Sequence, residues 1–136
     1  MRALLVCLAL IIGLADPVVA GDEIAAARDT IQSQTEAFGR DDAVAAYGFA
    51  APAIQTIFPQ ADIFMSMVRR SYAPIYRHKS FEFGDARTMA GQIEQDVHIV
   101  DADGEAWEAL YTLEPQPDGS LKITGCVLKK ARGQAV

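Results

Sequence analysis

The chain has 136 residues, 51% of them hydrophobic and 22% charged, with a formal net charge of −6 at pH 7. That length and apolar share predict one globular domain with a real core, and they exclude a disordered chain. The acidic balance opposes a phosphate backbone, so nucleic acid is not expected as a partner.

Met1-Arg2 is followed by an apolar run, Ala3 to Leu14, and then by Val18-Val19-Ala20 ahead of Gly21. A charged start, a short apolar core and small residues predict a secretory signal peptide over residues 1–20. The apolar run falls short of the roughly 20 residues that a membrane span needs. The expected product is exported, periplasmic or secreted, with no membrane contact after cleavage. Arg2 and Asp16 leave together, so its net charge stays at −6. Cys7 lies inside the apolar run rather than after it, which argues against lipidation. Cys126 is then left without an intramolecular partner. It is expected to be buried and inert, with intermolecular pairing as the alternative.

Ile24, Ala27, Ile31, Thr35 and Phe38 share one helical face, with Asp22 as the expected N-cap and Gly39 as the stop. A second helix is predicted from Asp41-Asp42, carrying Val44 and Tyr47. Pro52 suits a first helical position, and Ile54, Ile57 and Phe58 follow with helical spacing up to Pro59. Asp62 opens a fourth helix whose buried stripe is expected to be Phe64, Met67, Val68, Ser71 and Tyr72, ended by Pro74.

After Arg77 the apolar period falls to two. Phe81 and Phe83 alternate with polar residues, as do Ile93, Val97 and Ile99, then Trp107, Ala109, Tyr111 and Leu113, then Leu121, Ile123 and Val127. Ala90-Gly91, Asp103-Gly104 and Asp118-Gly119 are turn signals between these runs. In the last run, the alternative to simple alternation is a bulge at Gly125, which would bring Cys126 and Leu128 inward. The predicted fold is α+β: N-terminal helices in residues 22–73 packed on a curved four-stranded antiparallel sheet in 79–130. One domain is expected over residues 21–131, with a frayed tail at 132–136.

Several segments carry a family resemblance. They are Glu36-Ala37-Phe38 with Asp41-Asp42, Phe49 to Gln55, and Met67-Val68-Arg69 with Tyr72 and Tyr76-Arg77. The second half adds Val100 to Gly104 with Trp107, Leu110-Tyr111, Gln116 to Ser120, and Gly125 to Leu128. On these the chain resembles the nuclear-transport-factor-2-like superfamily, also called SnoaL-like, and a bacterial family of small secreted proteins of unknown function within it. The resemblance implies a cone, in which a curved sheet wraps a long helix and leaves a pocket at the wide end. It also suggests a homodimer. The superfamily holds isomerases, dehydratases and cyclases beside non-catalytic binding and association domains, so the fold does not choose among them.

Asp96 and His98 lie two apart on one strand and are the candidate acid–base pair, but they fall on its polar face, where a solvated surface explains them better. The ligand-pocket candidates are Tyr47, Arg69, Tyr72, Tyr76, Arg77, Trp107 and Tyr111. Arginines beside tyrosines can hold an anionic group while the rings pack an apolar body. His78 reads as a loop residue. Asp101 to Glu105 reads as a hairpin turn, since its glycine is misplaced for a calcium loop. No zinc, P-loop, Rossmann or nucleophile-elbow pattern is present, so no cofactor or metal is expected. The leading expectation is a non-catalytic binding or accessory domain for a small amphipathic or anionic ligand. The alternatives are a SnoaL-like isomerase, dehydratase or hydrolase, or an association module without a ligand pocket.

Overall fold

A computed structural model describes residues 20–132. The predicted signal segment up to Val19 and the end of the expected tail, from residue 133 on, lie outside the described residues. Among the described residues five helices precede the sheet: α1 (Ala20–Gly39), α2 (Ala43–Gly48), α3 (Pro52–Ile57), α4 (Ala61–Ser71) and α5 (Ala73–Tyr76). Four strands follow: β1 (His78–Met89), β2 (Gln92–Asp101), β3 (Ala106–Pro115) and β4 (Leu121–Lys130). They pair antiparallel in chain order, and the sheet is not closed into a barrel. The α+β class and the helices-then-sheet order are those read from the sequence.

Of the predicted apolar face of α1, Ala27, Ile31, Thr35 and Phe38 are buried and Ile24 is half-buried, and Gln34 joins the buried set. The two ends of α1 differ from expectation. Asp22 sits within the first turn, where its carboxylate still favours the helix dipole. The stop comes after Gly39. Asp41 takes a left-handed φ of 56°, its N–H donates to the Phe38 carbonyl, and the Asp42 N–H donates to the Ala37 carbonyl. That is a Schellman closure, with an aspartate where glycine is commoner. Asp42 then caps α2 as predicted, accepting the Ala45 N–H at 3.0 Å.

The short helices bury less than their apolar residues suggest. Val44 is 76% exposed and Ile57 70% exposed, while α2 seats itself through Ala46. On α4 the buried residues are Phe64, Met65 and Val68, and Ser71 faces out.

The inward face of the sheet carries Ile93, Val97 and Ile99 from β2 and Ala109, Tyr111 and Leu113 from β3, all buried. Gln95 lies among them at 0% exposure. A buried amide needs partners. Its Oε1 accepts from Arg28 Nε of α1 at 2.9 Å, and its Nε2 donates to the Gly84 carbonyl at 3.1 Å. The Arg28 guanidinium also donates to the Gly84 carbonyl and lies over the Phe83 ring. Gly84 sits in the irregular stretch of β1, where a Cβ would come 2.8 Å from His98 Nε2.

In β4 the register slips: Thr112 faces Gly125 while Leu113 faces Ile123, leaving Thr124 as the extra residue. The bulge inverts the facing of everything after it. Ile123 is buried, Cys126 and Leu128 pack on the core, and Val127 is 63% exposed. Val127 therefore departs from the simple alternation, and the conditional reading of a bulge near Gly125 describes the strand. The free edge of β4 is engaged at one point. The Ala51 N–H donates to the Ile123 carbonyl at 2.8 Å and the Ile123 N–H to the Phe49 carbonyl at 2.9 Å, a parallel bridge centred on Ala50 and Ile123.

Candidate functional site

Between the helices and the inward face of β3 and β4 lies an open cavity of about 270 Å³. The helical wall comes from Phe38 of α1, Ile54 of α3, Phe58 after it, and Phe64, Met67 and Val68 of α4. Tyr72, Ile75 and the sheet residues Tyr111, Ile123 and Cys126 form the other side. The bulge puts Thr124, Gly125 and Cys126 together on this wall. Phe58 and Phe64 meet edge-on with centroids 6.3 Å apart, and Tyr47 packs on Phe64 at 5.6 Å. The lining is mostly apolar and, among the described residues, holds no charged side chain.

Its polar groups are few. The Tyr72 hydroxyl donates to the Cys126 carbonyl at 2.9 Å. Tyr111 pairs directly across the strands with Cys126. Gln34 donates from Nε2 to the Ala46 carbonyl at 3.2 Å. Burial pushes the Cys126 thiol up to about 12. Burial, and then the neighbouring Cys126, raise Tyr72 as well, and Tyr111 is raised well above its ordinary value for the same leading reason. Each of these groups therefore keeps its proton at neutral pH.

Two of the seven predicted pocket residues, Tyr72 and Tyr111, line this cavity. Tyr47 acts as a strut behind it, its hydroxyl donating to the Phe58 carbonyl at 2.5 Å. Arg69, Tyr76 and Arg77 gather outside the lining. Arg69 Nε donates to the Tyr76 hydroxyl at 3.2 Å, and the Arg77 guanidinium stacks 4.1 Å from the Tyr76 ring centroid. Arg77 also donates to the Phe38 carbonyl and pairs with Asp41 at 2.9 Å, tying α5 to the closure of α1. Trp107 and Arg77 border a separate shallow groove in which Arg70 and Lys130 are balanced by Asp101, Asp103 and Glu105. Trp107 Nε1 donates to Asp101 Oδ2 at 2.9 Å, while Asp101 Oδ1 accepts the N–H groups of Asp103 and Glu105. That bond from Trp107, followed by the one from Glu105, lowers the Asp101 carboxyl below the usual carboxylate range.

Asp96 and His98 sit on the outward face of β2. Asp96 faces Arg87 at 3.5 Å, and His98 is exposed with Glu108 at 3.9 Å. His78 donates from Nδ1 to the Ile75 carbonyl, 2.9 Å away, and its ring lies tilted against Phe81. Among the described residues no cluster of three or more His, Cys, Asp or Glu is placed to hold a metal ion. No described helix is long and apolar enough to cross a membrane.

The cavity residues that the sequence did not single out as a site are chiefly Gln34, Phe58, Phe64, Met67 and Cys126. Most read as core because their spacing is that of core. Gln34 carries the one usable signal, a polar residue beside Thr35 on an otherwise apolar helix face.

No curated protein matches the chain in sequence. A family model described as a domain of unknown function, DUF4864, matches residues 21–136. That match takes in the long helix, the short helices and all four strands around the cavity, and the chain belongs to the DUF4864 family.

Proposed function

We propose that this chain is an exported, non-catalytic binding domain that takes a small, mainly apolar molecule in the cavity between the helices and the β3–β4 face. The cavity of about 270 Å³ carries the reading. Its size is at the small end of ligand sites, and its lining has their usual character, apolar with a few polar groups. The non-catalytic half rests on protonation and placement. Cys126, Tyr72 and Tyr111 all have raised pKa values, so none is poised as a base or nucleophile at neutral pH. Asp96 and His98 occupy the other face of the sheet. The order of helices and sheet agrees with the resemblance to the nuclear-transport-factor-2-like superfamily, and the family match begins at Gly21, the expected first residue after signal cleavage.

The test is a thermal-shift screen of small neutral, anionic and cationic compounds. A ligand at 100 times its dissociation constant adds about 2.7 kcal/mol of stability. Ile54→Trp, at the partly exposed cavity wall, should abolish a hit with the fold intact. Arg69→Ala should leave it unchanged, because Arg69 is outside the lining. A hit that survives Ile54→Trp but is lost in Arg69→Ala would move the site to the Tyr76 cluster. Turnover that disappears in His98→Ala or Asp96→Asn would replace binding with catalysis.

A further inference from the structure

The cavity and the groove at Trp107 are neighbours along three elements. On α4 Val68 borders the cavity and Arg70 the groove; on β3 Tyr111 and Trp107 divide in the same way, and on β4 Cys126 and Leu128. Tyr72 stands at this boundary. Its ring borders the cavity, while Ser71 and Ala73 on either side of it in the chain border the groove. Its hydroxyl crosses from the end of α4 to the Cys126 carbonyl, 2.9 Å away. The backbone there is set without help from the ring. The Tyr72 N–H donates to the Val68 carbonyl at 2.8 Å, and the Tyr72 carbonyl accepts from the N–H groups of Ile75 and Tyr76, both at 2.9 Å. Those bonds end α4 and start α5, so what the ring itself adds is the crossing to β4.

Beyond Tyr72 the groove has apolar surface of its own, from Pro74, Trp107 and Leu128. Burying further methylenes of a ligand against it would be favourable, so a barrier at Tyr72 decides how much of a long ligand the protein can cover. A cavity of about 150 Å³ accepts benzene, so one of about 270 Å³ suits roughly ten non-hydrogen atoms. Resting on the binding reading above, we infer that Tyr72 is the residue that limits ligand length: its ring, tied to β4 by the bond to the Cys126 carbonyl, walls the cavity off from the groove and restricts the site to apolar molecules of about this size.

Straight-chain primary alcohols from butanol to dodecanol test this. Affinity is read by calorimetry, and the groove is read by the fluorescence of Trp107, the sole tryptophan of the chain. In the wild type each added methylene should tighten binding about fourfold until the cavity is full at roughly ten non-hydrogen atoms. Longer alcohols should gain nothing more, and Trp107 emission should stay unchanged throughout. In Tyr72→Ala the tightening should continue to dodecanol, and the longest alcohols should shift Trp107 emission to the blue as methylenes cover its ring. Tyr72→Leu, whose apolar side chain makes no bond to the Cys126 carbonyl, should behave in the same way and carries the test if the alanine variant does not fold. A break at the wild-type length in these variants overturns the inference while the cavity-binding reading stands. So does a later break with Trp107 emission unmoved, which reports only a larger cavity, and so does a Trp107 shift in the wild type. Failure of every alcohol to bind the wild type overturns the inference and the binding reading together.

Discussion

Cys126 shows how one residue's surroundings set its chemistry. Its thiol is raised from 9.0 to about 12 by burial, so the reactive thiolate is scarce at neutral pH. Native protein should react slowly with a thiol reagent and fully only after unfolding, which a timed labelling assay will show. The same shift has a consequence for stability. The folded thiol holds its proton to higher pH than the unfolded one, so its contribution is present below pH 9.0 and is lost as pH rises towards about 12. Denaturant midpoints measured across that window should fall, and Cys126→Ser should flatten the trend. Asp101 behaves in the opposite sense. Its carboxyl is lowered by the Trp107 indole and the backbone N–H groups it accepts, so this contribution is present above the ordinary carboxylate range and is lost as pH falls through the lowered value. The Trp107 indole proton resonance should report that titration, and Asp101→Asn should remove it.

At the scale of the element, the bulge in β4 gives the sharpest test. Ile123 and Val127 are four apart and share a face in any regular strand, yet Ile123 is 4% exposed and Val127 63% exposed. Ile123→Asp should cost about 3 kcal/mol or more, because it buries an unpaired carboxylate. Val127→Asp should stay within about 0.5 kcal/mol of wild type. Equal losses in urea titrations of the two would refute the inverted facing. The β1–β2 turn offers a gain instead. Ala90 has a φ of 48° beside Gly91 at 79°, which suits asparagine better than alanine. Ala90→Asn should raise stability by up to about 1 kcal/mol. These cases show what was legible. Ile93, Val97 and Ile99 could be read because two-residue alternation is a local property. Val127 could be read only through Gly125, two positions before it, since one extra residue reverses the phase. Val44 and Ile57 were misleading because a short helix takes its orientation from neighbours. The burial of Gln95 depends on Arg28, a partner 67 positions away that no local pattern reveals. The cavity had the same difficulty: Tyr72 and Tyr111 were singled out, but the arginines turned to Tyr76 and Asp41 instead of joining them.

For the whole molecule, export and binding are separate expectations. Mass spectrometry of the exported product should show a start at Gly21, and an intact Met1 would remove the compartment assignment without touching the cavity. The architecture also joins two kinds of connection. Three hairpins build the sheet from near neighbours in sequence, whereas the bridge from Ala50 to Ile123 ties the helical half to the last strand across most of the chain. Contacts of the first kind close short loops and form early; the second must close a long one. The bridge is held by two backbone N–H groups, from Ala51 and Ile123, and Ala50 and Ile123 both belong to the cavity wall. Those two amides are thus a built-in gauge of how often the helices part from the sheet. If the layers separate before the sheet melts, both amides will exchange with deuterium faster than the buried β2–β3 ladder, and an occupied cavity will slow the two together.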